Sequence, residues 1–194
     1  MKKLMREDLL GLEQYSEERD DFRARVMKHK KNRIIGLGPN MSLHFEDRLI
    51  MQYQVQEMLR AEKIFDAAGI QEELETYNAL IPDGGNWKAT LMIEYSDPEE
   101  RAVALKQLLG VEGCIWMQVE GHDKVFPVAD EDLERATEEK TSSVHFLRFE
   151  LTQPMIQAAK AGAAVNLGVD HAAYTHSLSP LPNHYRESLV GDLS

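Results

Sequence analysis

A mainly antiparallel α+β fold is what this chain predicts, on three observations. Apolar residues alternate in several short runs, helical patterns lie between them, and some runs are joined by turns too tight for a parallel crossover. At 194 residues and 43% hydrophobic content the chain suits one sizeable domain, burying roughly 70% of its unfolded surface. Residues 1–178 are expected to form that domain, and residues 179–194 a C-terminal arm rich in Pro180, Pro182 and Asn183.

The N-terminal MKKLMREDLL carries charges at Arg6, Glu7 and Asp8 where a secretory signal needs an apolar run, so it is read as part of the folded chain. A helix is expected over residues 16–32, with Ser16 as its cap, acids Glu17, Glu18, Asp20 and Asp21 first, and Lys28, Lys30, Lys31 and Arg33 last. Its cations from Arg23 to Arg33 are either a solvated face or a patch for an anionic partner. Two short strands follow around Gly38-Pro39-Asn40; Gly36-Leu37-Gly38 lacks the third glycine of a phosphate-binding turn.

Residues 47–66 read as the longest helix, packed on one face of the sheet, with Met51, Val55, Met58 and Phe65 central to its buried stripe. Glu57 falls inside that apolar sector. It either reaches water at the margin, pairs locally with Arg60 or Lys63, or is buried with His145 or Arg148 as partner. A helix over 71–80, a turn at Asp83-Gly84-Gly85-Asn86 and a half-buried strand from Trp87 to Tyr95 come next. Pro98 opens another helix that Gly110 closes.

CIWMQV and KVFPVA read as a hairpin around Gly121-His122-Asp123, and residues 130–140 as an acidic helical turn or two. In the strand from Val144 to Leu151, alternation puts His145 on the face of Leu147, Phe149 and Leu151, and Arg148 on the other. A helix after Thr152, then one strand or two over AVNLGVDHAAYTHSL, precede the arm.

The balance of 33 acidic against 22 basic residues, net −11, repels phosphate backbones and anionic membrane, so neither nucleic acid nor membrane is an expected partner. A single cysteine, Cys114, fits a reducing, cytoplasmic setting and cannot hold a cluster or structural zinc alone. HExxH, CxxC, a Walker lysine loop and a Gly-x-Ser-x-Gly elbow are all absent from the sequence.

The blocks FEDRLIMQYQVQEMLRAEKIFDAAGIQEELETYNALIPDGGNWKATLMIEY and DEDLERATEEKTSSVHFLRFEL closely resemble a bacterial family known as domain of unknown function 3501. The resemblance spans nearly the whole chain. It implies no established activity. It does imply a link to redox or peroxide defence, because such proteins are often encoded beside rubrerythrin-like and heterodisulfide-reductase-type iron–sulfur proteins.

Two classes of function follow. One is an accessory or binding protein of a redox system with an iron-protein partner, docking through the basic helix or the arm, with homo-oligomerisation open. The other is an acid–base enzyme or metal-binding protein. There Arg148 would hold a substrate anion, His145 would transfer a proton and Glu57 would orient one of them. His44, Glu46, His171 and His176 are the candidate ligands of a transition metal, the cofactor itself being undetermined.

Overall fold

A computed structural model describes residues 2–194 and shows an α+β fold with two antiparallel sheets. The chain runs through α1 (Leu12–Lys30), β1 (Ile34–Gly36), β2 (Met41–Phe45), α2 (Arg48–Ala61), α3 (Ala67–Asn78), β3 (Asn86–Ile93) and α4 (Pro98–Gln107). It continues with β4 (Ile115–Val119), β5 (Val128–Ala129), β6 (Val144–Glu150), α5 (Gln153–Lys160), β7 (Val165–His171), β8 (Tyr174–Leu178) and α6 (Asn183–Val190). The larger sheet has the order β1-β2-β3-β6-β5 and the smaller β4-β7-β8.

Strand alternation sorts the faces as expected. Leu43, Trp87, Leu91, Leu147 and Phe149 from the large sheet share one apolar core with Met117, Leu167 and Val169 from the small one. Ser42, His44, Lys88, Thr90, Phe146 and Arg148 fall on the opposite, outer face of the large sheet. At Gly168 the backbone lies against the Trp116 ring; a Cβ there would meet the indole at 2.2 Å, so only glycine fits.

The N-terminal helices form their own layer. The first begins at Leu12 behind Gly11, so Ser16 is inside it and not its cap. The second stops at Ala61, and Lys63 takes a φ of 56°, after which Asp66 caps α3 by accepting from Gly69 N. The expected single helix over 47–66 is therefore cut short, and Phe65, expected in the stripe, is 66% exposed. Ile50, Met51, Val55 and Leu59 cluster with Leu4, Leu74 and Ile81, while Tyr53 joins Tyr15, Phe22 and Val26. Helix α2 thus buries its stripe against α3 and α1, in clusters separate from the sheet core. Gln56, placed toward solvent by the helical wheel, is fully buried because its amide bonds both the N–H and the carbonyl of Leu10.

The hairpin after β4 opens early. Met117 and Val125 exchange two backbone hydrogen bonds, but Pro127 has no N–H to extend the ladder, and Val128 and Ala129 pair with β6 instead. Residues 130–140 form no helix: Asp130 has a φ of 51°, and its carboxylate bonds Phe146 N and His145, which turns the chain out of helical geometry.

The arm returns to its own chain. Leu181, Leu189 and Leu193 enter the main core, and Trp87 Nε1 donates to Leu189 O at 2.8 Å. Arg33, 1% exposed, ties the end of α1 to the arm and to β2. Its guanidinium donates to the carbonyls of Phe45, Glu46 and Ser188 and to both oxygens of Asp192.

Candidate functional site

His145 is wholly buried, as its place in the strand requires. Its Nδ1 meets Asp130 Oδ2 at 2.6 Å, and its Nε2 meets Thr141 Oγ1 at 2.8 Å and Ser142 O at 3.1 Å. The order hydroxyl, imidazole, carboxylate resembles a nucleophile relay, but Thr141 is only 2% exposed and lines none of the three clefts lined by Leu80, Leu59 and Val103. The ring instead fastens both ends of the 130–141 segment to β6.

Glu57 meets neither His145 nor Arg148. Its carboxylate accepts from Arg19 Nε and Nη2 at 2.8 and 2.7 Å and from Tyr15 Oη at 2.6 Å, all on α1. The Arg19 guanidinium, with the tyrosine hydroxyl, holds this carboxyl down at about 2. The alternative partners Arg60 and Lys63 are not used. Helix α1 covers α2 on the side where the sheet was expected, so the bridging partner is one that periodicity within α2 has no means of naming.

The four candidate metal ligands lie apart. His44 Nε2 meets Ser42 Oγ at 3.1 Å, and Glu46 Oε1 accepts from Thr90 Oγ1 at 2.7 Å. His171 Nε2 meets Leu109 O at 3.2 Å on the small sheet, and the His176 ring packs on Tyr174. Among the described residues no three His, Cys, Asp or Glu side chains are grouped to hold an ion. His44 is more than half buried, which pushes its imidazole below the usual range.

A cleft of about 540 Å³ lies on the outer face of the large sheet. The end of α3 forms one wall through Thr76, Tyr77, Ala79 and Leu80; Glu46, Lys88, Phe146 and Arg148 form the floor. Glu131, Asp132 and Arg135, on the segment that His145 fastens, close the third side. Lys88 and Arg148 are direct cross-strand partners on this floor, an arrangement of like charges that requires anions nearby. Arg148 has them: Nε and Nη2 each bond Glu131 at 2.8 Å, and Nη1 bonds Glu150. Arg135 bonds both oxygens of Asp132 and lies over the Phe146 ring at 4.5 Å.

Lys88 has none. Its Nζ donates to Ala79 O at 2.6 Å, and no carboxylate among the described residues pairs with it. Burial holds this ammonium below the usual lysine range. Glu46 is 9% exposed, and burial raises its carboxyl above the usual carboxylate range despite the Thr90 hydrogen bond. A raised acid and a lowered amine lining one cleft form the pattern that marks binding and catalytic sites.

A family model described as a protein of unknown function (DUF3501) matches residues 3–193. The chain belongs to this family. A crystal structure titled a novel protein of unknown function, from Burkholderia pseudomallei K96243, is 46% identical, covers 100% of both chains and superposes with a TM-score of 0.93. No curated protein matches the chain. Among the described residues of this DUF3501 chain no helix is long and apolar enough to cross a membrane.

Sequence reasoning reached two residues of the DUF3501 cleft, Arg148 and Glu46, but joined them with His44, Glu57 and His145, none of which lines it. Lys88 was visible only as a polar position on an alternating strand. The cross-strand register that sets it beside Arg148 depends on which strands pair, and that information is absent from local spacing.

Proposed function

We propose that this protein binds a small organic molecule in the cleft between α3 and the large sheet. The single observation that carries this reading is the joint presence there of a cation without a carboxylate partner, Lys88, and a nearly buried acid, Glu46, against mainly apolar walls. The volume lies within the range of ordinary ligand pockets. Acid–base chemistry, should the bound molecule react, falls to Glu46 and Lys88, since Glu57 is locked to Arg19 and His145 does not line the cleft. Screening a fragment library by amide chemical shifts tests this reading. Hits whose shifts centre on Leu80, Lys88 and Arg148 support it; a library that leaves those amides unmoved refutes it.

A second reading keeps the link that the resemblance implies to rubrerythrin-like and iron–sulfur partners. The exposed Arg23, Arg25, Lys28 and Lys31 of the α1 region favour it, because they offer cations to an acidic partner on a chain otherwise rich in acids. Arg33 and His29 are not available to that face: the first is buried and the second bonds Asp47. Co-purification with a rubrerythrin-like protein at low salt tests it, and absence of association there refutes it.

A further inference from the structure

We propose that the cleft takes a small amphipathic carboxylate, its acid group on the Lys88 ammonium and its apolar body against Tyr77, Leu80 and Phe146. This assignment rests on the cleft being a binding site and adds the chemical class of its ligand.

Three cations line the cleft, and they are not equivalent. Arg148 is charge-paired with Glu131 and Glu150, and Arg135 with Asp132 and Asp130. An ammonium has three donor hydrogens, and Lys88 spends one of them on Ala79 O. Among the described residues it is therefore the one lining cation with no paired carboxylate, and two of its hydrogens are open to an incoming anion. The Ala79 bond, at the end of α3, fixes the direction of the side chain before a ligand arrives.

The charge balance points the same way. Lys88, Arg135 and Arg148 face Glu131 and Asp132, and burial holds Glu46 toward its neutral form. Each arginine is matched by carboxylates, Arg148 by Glu131 and Glu150 and Arg135 by Asp130 and Asp132, so the charge left for an anion is that of Lys88. Only one free ammonium is present, which suits a monoanion better than a phosphate dianion. Glu46 Oε1 is taken by Thr90, while Oε2 has no protein partner among the described residues, and burial raises this carboxyl, which lessens its repulsion of a ligand carboxylate. Tyr77, Leu80 and Phe146 leave room for an aliphatic or aryl body.

Octanoate, 1-octanol and acetate separate these contributions. Titrated into the isotope-labelled protein, octanoate is expected to saturate with shifts at Ala79, Leu80, Lys88 and Arg148. Octanol is expected to bind about tenfold more weakly, the value of one charge-assisted hydrogen bond, and acetate not to saturate at the same concentrations. Lys88→Met should bring octanoate and octanol to equal affinity. Octanol binding as tightly as octanoate, octanoate shifts centred outside the cleft, or a preference that survives Lys88→Met each overturns the assignment. The wild-type comparison decides the matter alone if that variant fails to fold. Fragment hits in the cleft without a preference for octanoate overturn the acid class but leave the binding reading intact; no cleft hits overturn both.

Discussion

Arg33 and Asp192, 159 positions apart, meet in the interior through two hydrogen bonds, Nη2 to Oδ2 at 2.5 Å and Nη1 to Oδ1 at 3.2 Å. The pair joins the end of α1 to the last turn of the arm. Removing Asp192 leaves the buried Arg33 guanidinium with Asp47, 3.4 Å from its Nε, as its remaining counter-charge, and the loss is that of two buried charge-assisted hydrogen bonds. Asp192→Ala is expected to destabilise the protein by about 3–5 kcal/mol in urea unfolding. A loss within the range of ordinary surface substitutions would show that the arm is not fastened here.

Glu57 makes stability depend on acid. Its folded value of about 2 lies below the ordinary 4.5, so the native state holds the carboxylate more firmly than the unfolded chain does. The stabilisation is complete above pH 4.5 and is lost as pH falls from there toward about 2. Glu57→Gln should lower stability at neutral pH by about 1.5–3 kcal/mol and flatten the stability profile across that acid window. A variant with an unchanged profile would remove Arg19 as the cause.

His145 acts on the cleft through the segment it fastens. His145→Leu keeps the bulk but loses the bonds to Asp130 and Thr141, leaving Asp130 held only by Phe146 N and Arg135 and Thr141 only by Glu112. Hydrogen exchange should then speed up over residues 130–142 and at Phe146, whose N–H Asp130 accepts, while the α1–α2 layer stays protected. Uniform loss of protection would mean that the ring supports the core as a whole.

Gly168→Ala tests the contact between the two halves of the small sheet. The added methyl would collide with the Trp116 ring, and overpacking of this kind costs about 1–3 kcal/mol. Equilibrium unfolding followed by tryptophan fluorescence measures it; unchanged stability would show that the indole moves aside freely.

Much of this architecture is local in origin and therefore legible. Period-two alternation put Trp87, Leu91, Leu147 and Phe149 in the core and His145 among them, and the pattern held because those strands are buried on one face. The helix after residue 47 was legible in its stripe but not in what covers it. A stripe does not distinguish a sheet from two neighbouring helices, and Asp66 reads as helix interior until its side chain is seen capping Gly69. Pairing between elements was the part that spacing did not carry. Glu57 was recognised as a carboxylate in need of a partner, yet Arg19 lies 38 positions away and nothing in local spacing points to it. Lys88 has the opposite history: it looked like any exposed lysine, and only the meeting of β3, β6 and α3 gives it a role.

The measurement that bears most directly on the cleft is thermal unfolding of the wild-type protein and Thr76→Trp in the presence of a fragment library. Thr76 is exposed on α3 and lines the cleft, so an indole there fills the space without disturbing the core. Binding to the native state alone stabilises it by about 2.7 kcal/mol when ligand stands at a hundred times Kd. The account predicts fragments that raise the wild-type midpoint and lose that effect in Thr76→Trp. Fragments that stabilise both proteins equally, or none that stabilise the wild type, would contradict it.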